Sequence, residues 1–354
     1  MYKMTIQDYM LETPVRMREI ISNADSLFNE VKRTNLKKII ITGSGTSYHS
    51  GVQVQPYLQN LLDIDVVKMY PFMITEDTFK FDNENTLVVG VSQGGSSYST
   101  YNAMKLAEDK GCKIASMAGC KNALIDEISD YILTVNCGEE KSGAKTKGYY
   151  CTKLNLMLLG LQIAREKGII SSEKYNEEIN KILDAINRFE AVYKLSKQWI
   201  ERNKEKLVNS KEIRIIGHSD IYGDTLEAAL KLLETMRIPV TGYEFEEFIH
   251  GIYNAINSDS TIFILDTGKE PRVTKMIDVL SGWTENVFAI GRDVTENDKN
   301  LKIDITDNPY YQTFNFIVPI QLICGEIPTL RGVDPSVPKD TRFHMKLGSK
   351  KLNK

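Results

Sequence analysis

The chain has 354 residues, 42% of them hydrophobic and 26% charged, with a formal net charge of -3. That length exceeds one ordinary core and predicts two domains or one duplicated unit. The charge balance supplies no broad cationic face, which argues against nucleic acid as a partner. No apolar leader and no membrane-length apolar run is read in the sequence, so the expectation is a cytoplasmic protein with no membrane partner.

An entry helix is predicted from Thr13 to about Glu30, then a strand over Leu36–Thr42 and a helix after Ser47. Thr86–Val91 reads as a second strand and Tyr98–Lys110 as a helix; Cys112–Met117 and Tyr131–Val135 read as strands with a short helix, Ala123–Ser129, between them. Tyr149–Glu166 is a longer apolar helix. Apolar runs alternating with amphipathic helices predict an α/β fold with a parallel sheet covered on both faces. Ser172–Ser210 is charged and nearly free of Gly and Pro, which predicts one or two connecting helices.

The pattern then restarts. Glu212–Ile216 is a strand leading into Gly217, Thr261–Leu265 one leading into Asp266, and Val287–Ile290 and Leu301–Ile305 repeat the later strands, with Phe314–Glu326 as the closing helix. Gly217 follows Gly43, and Asp266 follows Ser92, at one spacing (217 − 43 and 266 − 92 both give 174), as two copies of one α/β unit require. The domains expected are a helical segment 1–30, a first domain 31–170, a linker 171–210, a second domain 211–330 and a tail 331–354. Five cysteines, Cys112, Cys120, Cys137, Cys151 and Cys324, show neither CxxC nor Cys/His metal spacing, so free thiols and no metal are expected.

Two turns carry chemistry. In "IIITGSGTSYHSG" (Ile39–Gly51) Gly43 and Gly45 lack the third glycine of a dinucleotide fingerprint, which removes most support for a nicotinamide cofactor. A strand-to-helix turn of this kind still offers backbone N–H groups and a helix N-terminus to an anion, with Thr46, Ser47 and Ser50 as neutral donors. Ser92-Gln93-Gly94-Gly95-Ser96-Ser97 repeats the character after the next strand. One such turn is an ordinary loop; two, each opening from a buried strand, favour a phosphate monoester site.

On a helix over Thr225–Glu234, Glu227, Lys231 and Glu234 share one face at i, i+4 and i+7. Spacing alone favours a solvated helix face with ordinary ion pairs; a carboxylate held near a cation is also a candidate general base. His250 has Glu246 and Glu247 one helical turn away; a lone histidine beside glycine is more often structural than catalytic, and spacing alone does not overturn that.

Together these segments resemble the sugar isomerase (SIS) domain family, in particular the duplicated isomerase half of glutamine–fructose-6-phosphate aminotransferase and the fructosamine-6-phosphate deglycases. "GTSYHSG" (Gly45–Gly51) is similar to the family's first phosphate turn, and "VSQGGSS" (Val91–Ser97) to its VSQSGET turn, with Gly94 in place of a serine and Ser96-Ser97 in place of Glu-Thr. "GAKTKGYYCT" (Gly143–Thr152) is similar to its V-A-S-T-K loop, "TLEAALKLLE" (Thr225–Glu234) to its A-L-E-G-A-L-K-L-K-E helix, and "EFIHG" (Glu247–Gly251) to E-L-K-H-G. The resemblance implies two tandem SIS domains, each a flavodoxin-like three-layer α/β/α unit. It implies a hexose 6-phosphate derivative held by Gly45, Thr46, Ser47, Ser92, Gln93, Gly94 and Ser97; Glu234 as the base between C1 and C2, beside Lys231; His250 opening the sugar ring from the neighbouring subunit of a homodimer; Glu227, Glu247, Gly143 and Ala144 in support; and no cofactor.

The departures narrow this. The chain begins Met1-Tyr2 without the cysteine nucleophile of a glutaminase half, so glutamine-dependent synthesis is not expected. Phe343 falls where the synthase has its Schiff-base lysine, with Lys346 or Lys339 able to substitute after a shift, and Ile252 replaces a proline after His250-Gly251. The expectation is a deglycase of an amino-acid-linked hexose 6-phosphate such as fructoselysine or glucoselysine 6-phosphate. The alternatives are an isomerase or deaminase of an amino-sugar 6-phosphate and, from another class, a non-catalytic sugar-phosphate sensor.

Overall fold

The computed structural model describes residues 3–81 and 83–351; Met1 and Tyr2, where a nucleophilic cysteine was sought, lie outside them. The described residues form two compact units. The first comprises 12–140, 147–180 and 339–351, the second 3–11, 141–146 and 181–338.

The first unit holds strands β1 (Lys38–Thr42), β2 (Asp65–Met69), β3 (Thr86–Ser92), β4 (Lys113–Ala118) and β5 (Tyr131–Ile132), all parallel, in the order β2-β1-β3-β4-β5. Ile40 lies opposite Val67 on one side and Val88 on the other. The three central strands are the buried runs read from the sequence. The edge strand β2, DVVKM, was not foreseen, because an edge strand buries little and shows no apolar run. Helices α2 (Thr46–Leu62), α3 (Tyr98–Asp109) and α4 (Lys147–Glu166) cover the sheet. α4 is buried from Lys147 to Ala164, which explains its all-round apolar character.

The second unit repeats the plan with β6 (Glu212–Gly217), β7 (Val240–Glu244), β8 (Ser260–Asp266), β9 (Val287–Gly291) and β10 (Leu301–Lys302) in the order β10-β9-β8-β6-β7. Its unforeseen strand is β7, the equivalent edge. Around it lie α6 (Tyr222–Met236), α7 (Phe245–Ile249), α8 (Val273–Ser281), α9 (Thr313–Phe316) and α10 (Val318–Leu330). Two parallel five-stranded sheets flanked by helices are the α/β fold expected.

One boundary moved and two further readings are refined. Helix α1 runs over Ile6–Leu27 with Pro14 inside, starting earlier than expected because Thr5 and Asp8 cap each other's backbone N–H groups (Asp8 Oδ2 to Thr5 N 2.7 Å, Thr5 Oγ1 to Asp8 N 3.2 Å). The linker is one helix, α5, over Ser172–Asn209. The sequence reading found no membrane-length apolar run, yet Thr313–Leu330 meets the length and composition; 83% of it is buried inside the protein, which accounts for its character.

Candidate functional site

Order 2-1-3-4-5 reverses direction between β1 and β3, and in such sheets ligands collect at the carboxyl ends of the strands flanking that reversal. Both hydroxyl turns lie there. β1 ends at Thr42, whose buried Oγ1 has no hydrogen-bond partner among the described residues. Gly45 (φ 56°) then starts α2 with no side-chain cap, while Ser47 N in the first turn donates to Ser44 O at 3.3 Å. Thr46 is half-buried, Ser47 is buried, and Ser50 Oγ is committed to Thr46 O at 2.9 Å.

β3 ends at buried Ser92, whose carbonyl accepts from Gly95 N at 2.8 Å. Gly95 (φ 65°) is required: a Cβ there would lie 2.3 Å from Ala123 Cβ. Gly94 is exposed, and Ser97 caps α3, its Oγ accepting from Thr100 N at 3.5 Å. Gln93 turns inward: its Nε2 donates to Cys137 Sγ at 3.0 Å and its Oε1 accepts from Thr152 Oγ1 at 3.3 Å. A Cβ on Gly148 would lie 2.7 Å from Gln93 Cδ, so the VSQGGSS turn and the α4 segment fit as a pair. Sequence reading carried Gly148 and Thr152 only within the GAKTKGYYCT segment, without a role, and missed their packing with Gln93 and Cys137.

In the second unit α6 brings together the three predicted charges. Lys231 Nζ donates to Glu234 Oε2 at 2.7 Å and lies 3.7 Å from Glu227 Oε1. The solvated face favoured by spacing is corrected here: the Lys231 and Glu227 side chains are 3% and 0% exposed, against 37% for Glu234, because α10 packs on this face of α6. Burial pulls the Lys231 ammonium down, but the carboxylates of Glu227 and Glu234 outweigh it and hold the group above its ordinary value. Burial pushes the Cys324 thiol, on α10 beside this cluster, up to about 12, which leaves it unreactive. The arrangement is a half-exposed carboxylate fixed by a buried ammonium that a second, buried carboxylate keeps charged.

His250 stands on a different element, exposed at the end of the short helix α7, its N–H donating to Glu247 O at 3.2 Å before Gly251 (φ 122°). Glu247 N in turn donates to the capping Glu244 carboxylate at 3.3 Å. The segment 141–146 belongs to this unit: Gly143 N donates to Ser336 O at 2.8 Å, and Ala144 is buried. Lys346 belongs to the first unit, on α11 (Phe343–Leu347), paired with Asp340 at 2.5 Å.

Residues 34–161 match the SIS domain model. A candidate sugar-binding protein from Salmonella typhimurium LT2, known from its crystal structure, is 38% identical and superposes with a TM-score of 0.85 over 91% of this chain and 99% of its own. The chain belongs to the SIS-domain family. Glutamine–fructose-6-phosphate aminotransferase (isomerizing) from Thermotoga maritima is 28% identical over 322 residues, 86% of this chain and 51% of that enzyme. The chain therefore spans about half the length of the curated relatives it matches. The C-terminal domain of glucosamine-fructose-6-phosphate aminotransferase from Francisella tularensis, 18% identical, has the same fold, with a TM-score of 0.81 over 95% of this chain and 98% of that domain. In SIS terms the hydroxyl turns sit on the first repeat and the Glu227–Lys231–Glu234 cluster on the second.

Proposed function

We propose that this SIS protein is a phosphosugar-processing enzyme, and specifically a deglycase acting on an amino-acid-linked hexose 6-phosphate of the Amadori type. The observation that carries it is Glu234, a half-exposed carboxylate beside the buried, charged Lys231. A proton next to a carbonyl is weakly acidic, and its transfer needs a positioned carboxylate and a proton donor. In this reading the turn residues Ser47, Ser92 and Ser97, with the α2 and α3 backbone N–H groups, hold the phosphate, whose binding energy orients the reacting carbons. His250 of the neighbouring subunit in a homodimer opens the ring. Glu234 takes a proton from C1 of the ketosamine, forming an enolamine, and a proton returns to C2. Water then adds to the imine carbon C1, and the C1–N bond breaks to release hexose 6-phosphate and the amino acid.

The test is incubation with fructoselysine 6-phosphate, glucoselysine 6-phosphate and related conjugates, following hexose phosphate and free amine together. Stoichiometric release of both is expected; no release from any conjugate rejects the deglycase. A second reading, aldose–ketose isomerisation or deamination of an amino-sugar 6-phosphate, is favoured by Lys346 belonging to the same compact unit as the hydroxyl turns. Borohydride reduction in the presence of fructose 6-phosphate decides it, since Schiff-base chemistry leaves an adduct on Lys346.

A further inference from the structure

Residues 339–351 carry five lysines and arginines against one acid, Asp340, in a chain with 44 basic and 47 acidic side chains overall. This basic segment folds onto the VSQGGSS turn. After α11 the chain reverses at Gly348 (φ 60°), with Ser349 N donating to His344 O at 3.1 Å. Tyr98 N then donates to Ser349 O at 3.3 Å and Lys351 N to Ser96 O at 2.9 Å, forming an antiparallel bridge between Ser97 and Lys350. Lys351 Nζ fastens the segment to Glu127 at 2.6 Å.

The two bonds flank the Ser97–Lys350 pair without joining it. Residues facing each other in this way stand about 4.5 Å apart at Cα, with their side chains on one side of the ribbon. Ser97 Oγ on that side accepts from Thr100 N in the first turn of α3. The Lys350 stem therefore leaves toward the start of α3, the anion-attracting end of that helix. Its charge also reaches His344, whose imidazole burial and Lys350 together hold below the usual range, and whose Nδ1 lies 2.9 Å from Ser349 Oγ. Meanwhile the turn offers neutral groups only, with Gly94 where the family motif has a serine, and Gln93 spends its amide on Cys137 and Thr152.

We propose that residues 348–351 are a strap and that Lys350 is a direct ligand of the substrate's phosphate, adding the cation that the neutral hydroxyl turns lack. The inference rests on the phosphate reading of those turns. An ammonium on a phosphate oxygen makes a charge-assisted hydrogen bond, stronger than a hydroxyl's and more readily screened by salt.

Calorimetric titration of the full chain with glucose 6-phosphate and with glucose tests both levels. Wild type is expected to prefer the phosphorylated sugar. Lys350→Ala should weaken glucose 6-phosphate binding about 10-fold or more and flatten its salt dependence, while Lys350→Arg keeps most of both. Lys351→Ala, which frees the strap from Glu127, should give an intermediate loss. If wild type discriminates and Lys350→Ala binds equally well, the strap inference falls and the phosphate turns stand. If wild type does not discriminate, both fall.

Discussion

The two SIS repeats have the same strand order and the same spacing, yet they fill equivalent crevices differently. In the first, β1 and β3 open into hydroxyls and glycines: Thr46, Ser47, Ser92, Gly94 and Ser97. In the second, β6 and β8 open into His218-Ser219-Asp220 and Asp266-Thr267-Gly268. Asp220 there accepts from Lys269 at 2.7 Å and from Gln312 at 3.0 Å, with His218 Nδ1 at 3.1 Å, while Asp266 holds Gly268 N at 2.8 Å. The second crevice is closed by its own charges and presents carboxylates where the first presents neutral donors. Duplication supplied two possible anion sites; in the function proposed above, side-chain chemistry keeps one and gives the other repeat the acid–base helix α6.

If that division of labour is right, removing the base should be the most damaging change. Glu234→Gln is expected to lower turnover of the conjugate substrate by roughly 10²- to 10⁴-fold, the range of general acid–base catalysis, while glucose 6-phosphate affinity in calorimetry stays near wild type. A parallel loss of affinity would merge the two roles and break the comparison. Lys231→Ala strips the buried Glu227 carboxylate of its counter-charge and should cost about 3–5 kcal/mol in denaturant unfolding. Lys269→Ala, which removes a half-exposed partner of Asp220, should cost no more than about 1 kcal/mol. Equal costs would mean that the α6 cluster is not the special ion network of the second unit.

How much of this was legible in the sequence follows from burial. Central strands such as Thr86–Ser92 are buried along their whole length and announce themselves as β-branched runs. The edge strands DVVKM and VTGYE are not, and both copies of that strand escaped notice for the same reason. The turns were legible because glycine and hydroxyl side chains cluster there locally. The worth of Lys231 was not, since i, i+4 spacing is identical on a wet face and a dry one; only the packing of α10 against α6 settles it. The pairing of Ser96–Tyr98 with Ser349–Lys351 is a backbone contact across some 250 residues, and no local signal encodes it.

Smaller effects separate the two crevices directly. Ser92→Ala and Ser47→Ala each remove a hydroxyl from a proposed phosphate contact, a bond to a charged group of about 1.5–3 kcal/mol, so KM for the phosphosugar should rise roughly 10-fold or more with little change in kcat. Ser219→Ala, on the equivalent turn of the second repeat, should leave KM unchanged. Calorimetry should likewise return one glucose 6-phosphate per chain; a stoichiometry of two would show that the carboxylates of the second crevice do not exclude an anion.

The smallest expected effect concerns what those carboxylates do to the fold. Burial raises the Asp266 carboxyl above its ordinary value, against the opposing pull of the Gly268 N–H, so ionising it is harder in the folded chain than in the unfolded one. Because the folded value is the higher one, the folded chain binds this proton more tightly, and the group's contribution falls as pH rises from its unfolded value of 3.8 through the folded one. Asp266→Asn keeps an acceptor for Gly268 N without the charge. Near pH 3 variant and wild type should differ little through this group; at pH 7 the variant should melt slightly higher. A variant less stable at pH 7 would mean that the charge earns its place, through Arg292 and His218, as a structural part of the closed crevice.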